Sequence, residues 1–91
     1  MSNVSEKDLE LMNRITSFLD QIGSKIISTK CTGDGFITIE YVLQPKHPID
    51  FITSDELDNI QCLINPNIEN HNSIRVCRWQ GERKQTMICR I

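Results

Sequence analysis

Apolar side chains recur along this chain with two periods, and the switches between them mark out six elements. Leu9, Met12, Ile15, Phe18, Leu19 and Ile22 follow one another at spacings of three and four. That is the signature of a helix with one buried stripe, which Leu11 widens. Ser5 and Asp8 form an S-x-x-D capping pattern ahead of the stripe, and Gly23 supplies a residue suited to the left-handed position after it. The spacing predicts a helix over 5–22. The period then changes to two. Ile37, Ile39, Tyr41 and Leu43 alternate with Phe36, Thr38, Glu40 and Val42, so 36–43 reads as a strand with two distinct faces. The β-branched run 25–31 precedes it, and Thr32-Gly33-Asp34-Gly35 provides the turn of a hairpin.

Pro45 and Pro48 make 44–50 a loop. Thr53 and Glu56 form a second capping box, Leu57, Ile60, Leu63 and Ile64 the apolar face of a second helix, and Asn65-Pro66 its stop. After a polar loop over 67–73, the segments 74–80 and 85–91 flank Gly81-Glu82-Arg83-Lys84 as a second hairpin. The register expected there sets Gln80 opposite Gln85 and Val76 opposite Cys89. One face then holds Ile74, Val76, Arg78, Met87, Cys89 and Ile91, with Arg78 free to snorkel. The other holds Arg75, Cys77, Trp79, Thr86, Ile88 and Arg90. The order αββαββ predicts an α+β fold, a two-layer α/β sandwich in which two helices cover one face of a four-stranded, mostly antiparallel sheet. The 91 residues suit a single domain over 1–91. Strand order does not follow from the pattern.

Covering one face leaves the other bare. On this reading that face carries Ile27, Phe36, Val42, Cys77, Trp79 and Ile88 among Thr29, Thr38, Glu40, Arg75 and Arg90. It is too apolar for a purely solvated surface, so a second copy or another protein is expected on it.

Charge sharpens the picture. Residues 1–70 carry five basic and eleven acidic side chains, a balance of −6, while 71–91 carry five basic and one acidic, a balance of +4. The basic set is Arg75, Arg78, Arg83, Lys84 and Arg90, with the single tryptophan, Trp79, among them. Guanidinium forks suit carboxylate and phosphate, and an indole suits a partner pocket or a base. The candidate binding set is therefore Arg75, Trp79, Arg83, Lys84 and Arg90. The structural alternative is that these charges balance the acidic helices and Trp79 fills a core edge.

Composition adds little chemistry. The 38% apolar and 24% charged content is that of a globular domain, with no stretch approaching a membrane span and no leader-like apolar run. A cytoplasmic location is expected. The chain has fourteen isoleucines, seven asparagines and no alanine, a bias of AT-rich coding that suits an AT-rich bacterium, a phage or other mobile element, or a large virus. Cys31, Cys62, Cys77 and Cys89 include no C-x-x-C pair, so four free, buried or half-buried thiols are expected and no metal site. His47 and His71 fall in loops, and no nucleophile elbow or P-loop is present. The reading is a small non-enzymatic protein-interaction module, an inhibitor or adaptor without cofactor, self-associating or bound to an acidic protein surface. The alternative is a nucleic-acid-binding domain using the same hairpin, which the net charge of −2 disfavours.

Overall fold

The computed structural model describes residues 5–31, 33–68, 70–79 and 83–91. Helix α1 (Glu6–Gln21) begins where the Ser5 hydroxyl accepts a hydrogen bond from the Asp8 backbone N–H at 3.1 Å, satisfying one orphan amide of the first turn. Ile15 and Leu19 are fully buried, with Leu11, Met12, Phe18 and Ile22 packed around them. Leu9, expected on this stripe, is exposed. Six residues of helix carry it about 120° around the axis from Ile15, off the buried arc. Gly23 follows at φ +100°, and a Cβ there would sit 2.9 Å from the His47 nitrogen. The helix can turn into the sheet here because glycine permits both the dihedral and the close approach.

Strands β1 (Ser24–Cys31) and β2 (Phe36–Leu43) form the first hairpin, with Gly33 and Gly35 of its turn at positive φ. The β1 ladder is irregular: Ile26 faces Tyr41, Ser28 faces Glu40, and Ile27 is left as the extra residue of a bulge. The bulge moves Thr29 opposite Ile39, onto the helix-side register. Simple alternation had set Thr29 on the open face, and one inserted residue reverses that.

Helix α2 (Ser54–Ile64) starts on the expected capping box, with both reciprocal bonds between Thr53 and Glu56 formed, and ends at Asn65 before the proline. The chain closes with β3 (Ile74–Arg78) and β4 (Lys84–Arg90). The sheet order is β1-β2-β4-β3, and every neighbouring pair is antiparallel. Since β2 and β3 each run against β4, they are parallel to one another. The connection through α2 is thus a crossover into which β4 is slotted.

The helix-side face is the core. Ile37, Ile39, Tyr41 and Leu43 of β2, with Met87 and Cys89 of β4, are fully buried against Ile15, Leu19, Leu57 and Ile60. Fully burying each large aliphatic side chain contributes about 1.5–3 kcal/mol. The last hairpin is slipped by two from the expected register: Val76 faces Met87, and Ile74 faces Cys89. A slip of two preserves facing, so the expected face assignment survives the wrong partners. The pairing expected for Gln80 lies outside the described residues. Arg78, opposite Gln85 on the helix-side register, ends β3 and keeps its charge exposed. Among the described residues, no helix is long and apolar enough to cross a membrane.

Candidate functional site

The open face reads as successive rows across the sheet. Phe36 pairs with Arg90; Lys30, Thr38, Ile88 and Arg75 lie in line; Ser28, Glu40, Thr86 and Cys77 follow; then come Lys25, Val42 and Lys84. Trp79 extends this last row, its backbone N–H donating to the Lys84 carbonyl at 3.1 Å. Among the strand positions of the face, Lys25, Lys30, Arg75, Lys84 and Arg90 are basic and Glu40 is acidic. The helices carry the opposite balance: Glu6, Asp8, Glu10, Asp20, Asp55, Glu56 and Asp58 against Lys7 and Arg14. The fold therefore separates charge into an acidic helical layer and a basic sheet surface.

This arrangement divides the expected binding set in three. Arg90 lies opposite Phe36 and Arg75 opposite Ile88, and these four line a shallow hollow of about 450 Å³ together with Asn72 and Ser73. Phe36 is 44% exposed. Its place in an ordinary hydrophobic alternation gave it no more weight in the sequence than the other open-face positions. Trp79 and Lys84 lie at the far end, two same-face steps or roughly 13 Å along the strand from Arg75. The indole, 49% exposed, donates from Nε1 to Thr86 Oγ1 at 3.2 Å, and Lys84 Nζ sits 4.7 Å from its ring centroid. Lys84 also pairs with Glu40 at 3.4 Å. One hydrogen bond and one cation–π contact thus restrain a ring that stays half-exposed.

Arg83 belongs to neither cluster. Its guanidinium Nη2 donates to the carbonyls of His47 and Ile49 at 3.0 and 3.1 Å, and its Nε lies 3.4 Å from an Asp50 carboxylate oxygen. It clamps the β2–α2 loop, with its side chain still one-third exposed. Gln85 completes the clamp, donating to the Asp50 carbonyl at 2.9 Å while accepting from the Tyr41 hydroxyl at 2.8 Å. Burial raises the Tyr41 hydroxyl pKa well above its ordinary value, with Cys89 and Glu56 adding to it.

His47 was placed in a loop, and that loop buries it: the residue is 2% exposed. Its Nδ1 lies 2.7 Å from the Ile49 carbonyl and its Nε2 3.0 Å from Glu56 Oε1. Burial acts to raise the Glu56 pKa, but hydrogen bonds from the Thr53 backbone, His47 and the Thr53 hydroxyl outweigh it and hold the carboxyl below its usual range. No motif spacing advertises this network, because its members meet only after the loop folds back.

Gln61 is the second residue missed. It falls on the 57-60-61-64 stripe of α2, and that polar interruption of an apolar stripe was the available signal. It is 1% exposed, and neither its side-chain nitrogen nor its oxygen has a hydrogen-bond partner among the described residues. Such burial costs about 1–3 kcal/mol.

All four cysteines are free thiols. Cys89 is buried, which pushes its pKa up to about 12, and Cys31 is half-buried. Cys62 and Cys77 are exposed, correcting the expectation of burial. Cys62 lies on the solvent side of α2 and Cys77 on the bare sheet face. Among the described residues no group of three or more His, Cys, Asp or Glu side chains could hold a metal ion. No family model, curated protein or solved structure matches this chain.

Proposed function

We propose that the protein is a non-enzymatic interaction module that docks an acidic protein surface on the open face of its sheet. The observation that carries the reading is the hollow shared by Phe36, Ile88, Arg75 and Arg90, in which Arg90 lies opposite Phe36 and Arg75 opposite Ile88, so that an apolar pair is bordered on one side by two cations. That is the anatomy of an interface centre, where an aromatic anchor supplies most of the affinity and surrounding charge sets register and on-rate. Trp79, held by Thr86 and Lys84, is a second, preorganised anchor about 13 Å along the strand. Two copies meeting face to face would oppose like charges, so a partner of different sequence fits better than self-association. An inhibitor or adaptor role, in the cytoplasm of a host or of a mobile element's host, is consistent with this surface.

The same cations beside exposed aromatic rings favour a second reading, in which the face binds nucleic acid. Affinity capture from host extract separates the two when run with wild type, with Arg75→Glu/Arg90→Glu and with Lys7→Glu as a control on the helical side. A protein retained by wild type and by Lys7→Glu but lost from the double reversal supports the proposal. Retention by the double reversal overturns it. Direct binding of labelled oligonucleotides, falling steeply between 50 and 200 mM salt as phosphate contacts do, transfers the face to the second reading.

A further inference from the structure

The fold puts opposite charge on its two sides, and the helical side carries an exposed apolar residue of its own. In α1, Glu6, Leu9, Asn13 and Asp20 lie within about 60° of one another around the axis, and all four are exposed. Their arc is turned away from the buried Ile15 and Leu19. Leu9 is 43% exposed. Neither Glu6 nor Asp20 forms an ion pair with another described residue, and on the open sheet face neither do Arg75, Arg90 and Lys25. One side thus offers an apolar knob between unpaired carboxylates, and the other an apolar hollow beside unpaired cations.

We infer that the open sheet face also takes helix α1 of a second copy of this chain, front to back, with Leu9 in the hollow of Phe36 and Ile88. The inference rests on the reading of this face as a dock for acidic protein surfaces. The spacings of the two surfaces agree. From Leu9, Asp20 lies eleven residues or about 16 Å along the helix, and Glu6 about 4.5 Å in the other direction. On the sheet, the row of Lys25, Val42 and Lys84 lies two same-face steps from Ile88 and three from Phe36, roughly 13 and 20 Å. With α1 laid along the strands and Leu9 between Phe36 and Ile88, Glu6 falls at Arg90 and Asp20 at the row of Lys25 and Lys84. Face-to-face pairing sets cation against cation, whereas front-to-back pairing sets carboxylate against cation. Such a contact joins unlike surfaces, so each added copy leaves one of each free and growth continues past the dimer. A single leucine anchor makes it weaker than a partner that fills the hollow and also reaches Trp79, so that partner displaces the second copy.

Sedimentation of the full chain at rising concentration tests it. At about 50 mM salt the mean mass is expected to rise past that of a dimer, and at about 500 mM salt to fall back toward the monomer as the charges are screened. Glu6→Lys/Leu9→Lys spoils the helical surface and Arg75→Ala/Arg90→Ala the sheet surface, and all four side chains are exposed. Each variant alone is expected to lose about tenfold or more in self-affinity. Mixed in equal amounts, the two are expected to form a dimer and nothing larger, because the mixture holds one intact pair of surfaces. In wild type, the Leu9 and Ile88 methyl resonances shift together with concentration, a readout that needs no variant. A wild type that stays monomeric overturns the inference; if affinity capture still retains an acidic protein on the sheet face, the docking reading stands without it. Undiminished assembly of Glu6→Lys/Leu9→Lys overturns it by moving the contact to other surfaces. A mixture that assembles no better than its components overturns it too.

Discussion

Arg83 shows how little a side chain's charge says about its employment. In the sequence it belongs to a basic hairpin; in the fold its forked N–H groups hold two carbonyls of the β2–α2 loop. Its ion pair with the exposed Asp50 carboxylate adds little, so the loss on truncation comes from the orphaned carbonyls. Arg83→Ala is expected to lower unfolding free energy by about 1–2 kcal/mol in urea denaturation while leaving partner binding intact. Unchanged stability with lost binding would return Arg83 to the surface. Glu56 provides the pH signature of the same loop. Its folded pKa lies below the ordinary 4.5, so its stabilisation is present above that value and is lost as pH falls through the folded pKa. Urea midpoints followed from pH 7 to pH 3 should therefore drop on the acid side, and Glu56→Gln should be less stable at pH 7 with a shallower acid drop. Parallel curves for the two proteins would remove Glu56 from the account.

At the scale of elements, local signals placed the boundaries and long-range contacts set the pairings. Both helix starts follow their capping residues, and β2 spans its alternating stretch from end to end. The β1 bulge and the two-residue slip of the last hairpin were invisible, since nothing in a strand's own alternation states its partner. Both edges of the sheet are guarded against further pairing: β1 by its bulge, Lys25 and Lys30, and β3 by its brevity and its arginines. Gly23 joins two elements and a loop at one point. Gly23→Ala should cost at least about 1–2 kcal/mol, from a dihedral closed to L side chains and from the displaced 46–47 backbone. Gly35→Ala carries the dihedral strain alone, because its added Cβ would meet only the Ile91 carbonyl oxygen at 3.9 Å. Thermal melts should rank Gly23→Ala as the more damaging, and the reverse ranking would contradict the packing described for the α1–β1 corner.

For the whole molecule, the arrangement of layers turns a chain of nearly balanced charge into one with two unlike sides. The acidic first turns suit helix N-termini, and the basic strands project from the opposite surface. Trp79 tests whether that surface is structural or available. It is half-exposed and outside the buried cluster, so Trp79→Ala should cost about 1–2 kcal/mol of stability, for the partly buried ring and its contact with Lys84. Ile60→Ala, inside the cluster, should cost about 2–5 kcal/mol. Equal losses in urea denaturation would make Trp79 a core residue and leave Phe36 as the sole aromatic anchor of the open face.

The sequence by itself determined the six elements, their order, the α+β layering and the identity of the core face, because capping, periodicity and turn chemistry are local properties that survive in one dimension. It also marked the hairpin as basic and the sheet face away from the helices as unusually apolar. Only the tertiary structure decided which strands are neighbours, that Phe36 shares a hollow with Arg75 and Arg90 while Trp79 stands apart, and that Arg83 holds the β2–α2 loop. It alone buried His47 and Gln61. These outcomes depend on distances between residues far apart in the chain, set when the crossover brings β4 between β2 and β3 and the loop folds back over the sheet, and no pattern confined to neighbouring positions encodes such distances.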